Sequence, residues 1–171
     1  MIKQKWIDTN IISLMDMLAS KDGVTRQKAR KSLVALGKPA FSSLARALQD
    51  SKVDHVRWEA VKTLDAIGDI RAIPQLVNTL EDTDPDVAWL AAEALRKFKK
   101  VAWPPLLRAL IKSKSDSVTL RQGAHHVLRN QREDGFNDLL ATLTKALEPN
   151  SVEEATPLAA SDLLKRMKAT P

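Results

Sequence analysis

The fold is decided at residues 56–68, Val-Arg-Trp-Glu-Ala-Val-Lys-Thr-Leu-Asp-Ala-Ile-Gly, which match residues 25–37, Thr-Arg-Gln-Lys-Ala-Arg-Lys-Ser-Leu-Val-Ala-Leu-Gly, at an offset of 31. Alanine stands at the fifth place and leucine at the ninth place of both stretches, and glycine ends each of them. The same offset leads to a third copy from Val87 and to a looser fourth copy around residues 118–130. Self-similarity at a fixed period of this length indicates a repeat architecture.

Each copy is followed by a second segment that carries one apolar stripe. The stripe has apolar residues at positions i, i+3, i+4 and i+7, which share one face of a helix. It begins at Phe41, Ile73, Trp103 and Phe136, and an orphan copy begins at Ile11. Each period therefore contains two helices, and the chain starts with the second half of a repeat.

Residues 54–82 give these hairpins a family resemblance. They are similar to the bacterial HEAT-like repeat first described in phycobilisome lyases. The resemblance implies a binding scaffold whose second helices line a concave face, although a minority of that family are chromophore lyases or isomerases, hydroxylases with His-Glu pairs, or DNA glycosylases. The residues that carry it are Asp54, His55, Val56, Arg57, Ala60, Leu64, Ile67, Gly68, Asp69, Ala72, Ile73, Pro74, Leu76, Leu80 and Asp82.

We therefore expect an all-α protein, a right-handed α-solenoid of HEAT-like helical hairpins with about ten helices, in one domain over residues 1–171. Residues 1–21 form an N-terminal half-repeat cap, and residues 22–148 form four hairpins. Residues 149–171 form a C-terminal capping helix, which we expect to be an unpaired first helix that begins near Pro157.

Helix boundaries are marked by capping residues. Asp84 precedes Pro85 and suits the position before a helix, as do Asp54, Asp116 and Asn150, while Gly37 and Gly68 suit the residue that closes one. We also expect two arginines of the first helices to pair with an aspartate at the end of the preceding helix. These structural pairs involve Arg26, Arg57, Asp50 and Asp82, the two aspartates being 32 residues apart.

The composition of the chain excludes several classes of function. The chain has 171 residues and no cysteine, which excludes disulfides and thiolate chemistry and fits a reducing compartment. Asp8 and Asp16 interrupt any signal-peptide core, and no run approaches the ~18 apolar residues of a membrane span. We expect a cytoplasmic protein without membrane association.

The histidines do not predict a metal site. None of His55, His125 and His126 is followed by glutamate, and adjacent histidines on a helix point about 100° apart. We expect all three to face solvent or to cap helices. No serine stands beside a histidine in the sequence either, so we expect no metal, no cofactor and no enzymatic activity.

The second helices supply the candidate binding groove. Their exposed positions stack into a column that contains Asp16, Arg46, Asn78 and Arg108, with Gln75 in the neighbouring column. Arginine and asparagine supply directed donors for carboxylate, phosphate or amide groups. We predict that Arg46, Asn78 and Arg108 form a ladder that binds a protein or peptide, the alternative being a solvated polar face.

The net charge of +6 raises nucleic acid as an alternative partner. Most basic residues fall on the first helices, which we expect on the convex side, and only one group is clustered. An accessory nucleic-acid-binding protein would use this cluster, and a helix C-terminus favoured by its dipole is the other explanation of it. The cluster is Arg96, Lys97, Lys99 and Lys100.

Tryptophans fall at equivalent places of successive first helices. Trp58 and Trp89 either pack between repeats, which we favour, or form an exposed aromatic patch that marks a contact site. Trp103 occupies a core position, so we read it as packing and not as a base-stacking residue. Trp6 and Ile7 near the N-terminus leave a weak homodimer open beside a monomer.

The leading functional hypothesis is a non-enzymatic protein- or peptide-binding scaffold. Its alternatives are the nucleic-acid-binding protein above and a lyase-type chromophore-handling protein or chaperone. No pigment-binding residue is visible for the last of these.

Overall fold

A computed structural model describes residues 2–112, 117–152 and 154–169, with side chains from residue 6 onward. Over these residues the chain is helical and has no strand, which confirms the predicted all-α class. Short 3-10 turns lead into α3, α5 and α7. The α-helices are α1 (Ile2–Leu18), α2 (Gly23–Leu36), α3 (Phe41–Asp50), α4 (Asp54–Ile67), α5 (Ile73–Thr79), α6 (Pro85–Lys97), α7 (Trp103–Lys112), α8 (Val118–Leu128), α9 (Asn137–Ala146) and α10 (Ala155–Ala169).

Capping residues end the helices mostly where the sequence predicts. The Asp84 carboxylate accepts hydrogen bonds from the backbone amides of Asp86 and Val87, both at 3.0 Å, at the start of α6. Gly37 and Gly68 close α2 and α4 with φ of 67°, a value that L side chains rarely adopt. These predictions are confirmed.

Three of the predicted N-caps have other outcomes. Asp54 is the first residue of α4 and Val53 precedes the helix without a side-chain cap, so Asp54 supplies charge to the first turn instead. Asn150 lies five residues ahead of α10, which begins at Ala155. Asp116 lies outside the described residues, and the Ser117 hydroxyl accepts the capping bond of α8 from the Leu120 amide.

The chain divides into two compact units, Met1–Gln75 and Leu76–Pro171. In the first unit the first helices α2 and α4 pack on each other, and the second helices α1 and α3 do the same. α1 also packs on α2, and α3 packs on α4. This layered stacking of hairpins is that of an α-solenoid.

A recurring arginine ties each first helix of this unit to the end of the preceding helix. Arg26 donates to the backbone carbonyl of Ser20 at 2.9 Å, and Arg57 donates to that of Ser51 at 3.0 Å. We expected an aspartate such as Asp50 as the partner, and Asp50 accepts neither of these two bonds. The carbonyls at a helix end can accept them because they have no partner within the helix. A pair that involves Asp82 stays a prediction.

In the second unit α6 and α8 are the stacked first helices. The main neighbours of α10 are the second helices α7 and α9. We expected an unpaired first helix here. Ala159, Ala160 and Leu163 are buried in α10, and the small alanine side chains allow close approach of the helix backbones. Pro157 lies in the first turn, where it costs no intrahelical hydrogen bond.

In the second unit Gly123 of α8 allows a close approach of this helix to Leu80. A Cβ atom built on Gly123 of α8 would lie 3.2 Å from the Leu80 Cβ and 2.9 Å from a Leu80 Cδ. Leu80 is fully buried and follows directly after α5. The Leu80 side chain therefore has little room to yield.

We expect Gly123→Ala to lower the free energy of unfolding by about 1 kcal/mol. Overpacking costs about 1–3 kcal/mol, and the better helix propensity of alanine returns up to about 1 kcal/mol. Urea unfolding followed by circular dichroism measures the difference. The matched control is Gly23→Ala, whose Cβ would lie 3.6 Å from an Arg26 nitrogen, an ordinary contact. A stabilised Gly123→Ala variant would show that the Leu80 side chain moves aside.

Candidate functional site

Two of the predicted groove residues line one concavity in the first unit. Asp16 of α1 and Arg46 of α3 stand on neighbouring second helices and border a groove of about 380 Å³. Both side chains are exposed, and neither makes an ion pair with any described residue. Ile12 and Met15 give the groove an apolar wall. We call this concavity the α1–α3 groove; its remaining lining residues are Ser43, Ala47, Asp50 and Ser51.

The other groove candidates lie on α5 and α7. Asn78 and Arg108 are exposed, and Gln75 is half-buried. In the second unit α10 packs on α7, yet it leaves Arg108 open to solvent. That Arg46, Asn78 and Arg108 act as one ladder stays a prediction.

The two tryptophans of the first helices differ in their surroundings. Trp58 is half-buried, and the Lys62 ammonium lies 4.0 Å from the centroid of its ring system. Trp89 packs between repeats in part, because its ring lies on His126 of the next first helix, α8, with centroids 3.9 Å apart and planes inclined at 48°. It is nevertheless 53% exposed, so it also leaves aromatic surface open to solvent.

His126 is the functional candidate that sequence reasoning missed. We expected the histidines to face solvent or cap helices, and this is wrong for His126, which is only 5% exposed. Its Nε2 is hydrogen-bonded to a carboxylate oxygen of Glu93 on α6. This hydrogen bond lowers the pKa of Glu93, and the Arg96 guanidinium, 3.3 Å from the same oxygen, contributes in the same direction.

The same spacing of 33 residues recurs in other polar pairs between repeats. Glu93 meets His126, and Lys100 meets Glu133, each across 33 residues. In the first unit the Arg26–Glu59 ion pair has the same spacing. Polar side chains 33 residues apart, two more than the repeat offset of 31, therefore meet where consecutive repeats stack.

Trp89 and His126 stand at one side of a second concavity, which we call the Trp89 groove. It has a volume of about 430 Å³ and lies within the second unit. Its walls come from α6, α8 and the segment that precedes α6. The other lining residues are Leu80, Asp82, Thr83, Pro85, Ala88, Ala92, Thr119, Gln122 and Gly123.

The basic cluster is interleaved with carboxylates. Arg96 pairs with Glu93, and the Lys100 ammonium lies 3.0 Å from a Glu133 oxygen and 4.4 Å from the Phe136 ring centroid. Lys97 and Lys99 are exposed. Binding of a phosphate backbone depends on uncompensated cations along one surface, so the pairing weakens the nucleic-acid alternative.

Metal chemistry finds no support among the described side chains. They contain no group of three or more histidine, aspartate or glutamate residues placed to hold a metal ion.

Trp103 is 1% exposed, which confirms its role as a core residue.

No helix in the described part of the chain is both long and apolar enough to pass through a membrane.

Comparison with known proteins gives one family. The family model for HEAT repeats matches residues 11–96 and, in a second overlapping match, residues 54–129. The two matches cover both the α1–α3 groove and the Trp89 groove. No curated protein matches the sequence.

Proposed function

Because the chain belongs to the HEAT-repeat family, whose members generally act as protein-interaction scaffolds, we propose that it is a non-enzymatic scaffold that binds a protein or peptide. Stacked hairpins of this kind present extended concave surfaces for binding. The α1–α3 groove is the part of that surface that we assign to the partner.

The proposal rests mainly on one observation: Asp16 and Arg46 lie at the same groove, which has an apolar wall. The Arg46 guanidinium supplies several N–H donors for carbonyl or carboxylate oxygens, and the Asp16 carboxylate accepts from amide or ammonium groups. A peptide offers both kinds of polar group along its backbone and apolar side chains between them. The groove therefore has the chemistry of a peptide-binding surface.

Within the family we place the chain with the phycobilisome-lyase type of HEAT-like repeat. The support is the sequence motif around Arg57, Ala60 and Gly68. A role in chromophore handling is not part of the proposal, because no side chain of the grooves suits a pigment attachment.

We expect the Asp16→Ala, Arg46→Ala double variant to lose at least about tenfold in affinity for the partner, since it removes both polar anchors of the groove. The partner is first captured with the intact chain and identified by mass spectrometry. Its affinity for each purified variant is then measured by calorimetry. Circular dichroism melting establishes that each variant keeps its fold.

The matched control replaces two exposed cations of the first helix α2, Lys28→Ala and Lys31→Ala, and we expect unchanged affinity. A third variant, Asn78→Ala with Arg108→Ala, tests the remaining residues of the predicted ladder separately. A folded Asp16→Ala, Arg46→Ala protein that binds the partner as tightly as the intact chain would overturn the assignment of the groove.

A further inference from the structure

We propose that the Trp89 groove is a second docking site, and that its occupant is a basic, extended segment of a partner protein. This inference concerns residues other than those of the α1–α3 groove and does not depend on them. It rests on an exposed aromatic ring supported on one side, on a groove of suitable size beside it, and on the charge of the segment that borders it.

Trp89 is exposed, and its ring is supported on one side. It lies against His126 with the two planes inclined at 48°, and His126 is buried and hydrogen-bonded to Glu93. A tryptophan at 53% exposure leaves a large apolar surface in water. A ring that is already supported on one side loses less entropy than a free one when a partner covers it, so it is suited to be the anchor of a binding site.

The groove beside the ring can receive side chains. Its volume of about 430 Å³ falls within the range of ligand pockets, which begins at about 300 Å³. Ala88 is half-buried and lines it with aliphatic surface, whereas the neighbouring Leu80 and Ala92 border it but are buried.

The segment that precedes α6 and forms its first turn gives the groove its charge. Residues 81–86, Glu-Asp-Thr-Asp-Pro-Asp, contain four carboxylates and no basic residue, although the chain as a whole carries +6. Asp82, Thr83 and Pro85 line the groove itself. Glu81 and Asp86 of this segment are exposed, and their two negative charges exceed the positive charge of about one half that each N-terminus of α6 and α8 contributes, so this edge is negative without counting Asp82.

These carboxylates are fixed by hydrogen bonds. The Asp84 carboxylate caps α6, and the Asp82 carboxylate accepts from the Asp84 amide at 2.9 Å. The Glu81 carboxylate accepts from the Ser117 hydroxyl. The negative edge therefore keeps its position relative to Trp89, as a preorganised binding surface requires.

The negative charge of residues 81–86 and the exposed ring of Trp89 together indicate which kind of partner would bind in the groove. A lysine or arginine side chain can lay its aliphatic stem along the groove and its cationic head toward the carboxylates or over the open face of Trp89. A nucleic acid would place phosphates against the same carboxylates and be repelled. A basic segment of a protein is the partner that satisfies both features.

The test selects random peptides displayed on phage against the immobilised full-length chain, and compares the clones recovered by intact protein, Trp89→Ala and Trp6→Ala. Trp6 is the matched control because it is also an exposed tryptophan, at 64%, and lies in the other unit. We expect clones that Trp89→Ala no longer retains, and we expect them to be enriched in lysine and arginine over the library. Trp6→Ala should retain the same clones.

Fluorescence anisotropy of a labelled selected peptide then measures affinity. We expect Trp89→Ala to weaken binding at least about tenfold, and the charge variant Glu81→Gln, Asp86→Asn to weaken it about threefold. Added salt should weaken it further, because exposed charges are screened. Arg46→Ala should leave this affinity unchanged. A failure of this inference can therefore be distinguished from a failure of the proposal for the α1–α3 groove.

Two results would overturn the inference. One is recovery of no clone that depends on Trp89, with Trp89→Ala shown by circular dichroism to be folded. The other is recovery of clones that depend on Trp89 but are neutral or acidic, which would reject a basic occupant.

Discussion

Replacing Trp103 with alanine is expected to lower the free energy of unfolding by about 4 kcal/mol, because truncation of a buried aromatic costs about 3–5 kcal/mol. Trp103 begins α7 and is among the largest fully buried side chains of the described chain. Its ring meets the edge of Phe136, the residue that precedes α9, with centroids 6.3 Å apart and planes at 72°. Removing the indole leaves a cavity beside Phe136 and withdraws an aromatic contact.

The expected loss is large against a total stability of about 5–15 kcal/mol. Urea unfolding followed by far-ultraviolet circular dichroism measures it without relying on tryptophan fluorescence. The control in the same unit is Leu158→Ala, because Leu158 is 65% exposed and its truncation should change stability by no more than about 0.5 kcal/mol. A Trp103→Ala protein within about 1 kcal/mol of the intact chain would contradict the expected cavity cost.

A conservative variant separates packing from hydrogen bonding. The Trp103 indole nitrogen is buried and has no hydrogen-bond partner among the described residues. Trp103→Phe therefore loses no hydrogen bond and removes a donor that is costly to bury. We expect it to cost less than half of what Trp103→Ala costs.

Replacing Glu59 with alanine is the second large effect, and we expect a loss of about 3 kcal/mol in the free energy of unfolding. Glu59 of α4 is 3% exposed. Its carboxylate lies 2.5 Å from an Arg30 nitrogen and 3.5 Å from Arg26 Nε, and both arginines belong to α2. Removing the carboxylate leaves two largely buried cations without their shared counter-ion, a change that costs about 3–5 kcal/mol in buried pairs.

We expect the lower end of the range of about 3–5 kcal/mol for a buried pair, because the arginine side chains keep 19% and 23% of their surface exposed and can gain some hydration. Asp50→Ala is the control, since it removes an exposed carboxylate from the same unit. A double-mutant cycle with Arg30→Ala isolates the pair: Arg30→Ala should cost less in the Glu59→Ala background than in the intact chain. Equal costs in both backgrounds would show that the two side chains do not interact.

Much of the fold could be predicted because the signals that define it are local. The apolar stripes that begin at Phe41 and Trp103 specify which face of a helix is buried, and this depends only on residues within two helical turns. Capping by Asp84 and closure by Gly68 likewise depend on neighbours in sequence. The candidate groove followed from the same register, which places Asp16 and Arg46 at equivalent exposed positions of α1 and α3.

The polar contacts between helices could not be predicted in the same way. Glu93 and His126 look like ordinary surface residues of two amphipathic helices until the stacking of α6 on α8 brings them together. Whether such a side chain is buried depends on the rotation and offset of a helix that lies one repeat away. The contact of the exposed Trp89 ring with His126 depends on that stacking. The repeat pattern of the sequence therefore could not predict the Trp89 groove either.

By itself the sequence determined the repeat, its two helices per period, the core stripes and the all-α class. Tertiary structure alone decided that α10 packs on α7 and α9, that Glu59 is shared by two arginines, and that His126 is buried beside Trp89. The physical reason is the range of the interactions. Helix formation and amphipathicity are set by residues three and four apart, whereas the packing of one helix on another depends on the fit of whole surfaces that the period alone does not encode.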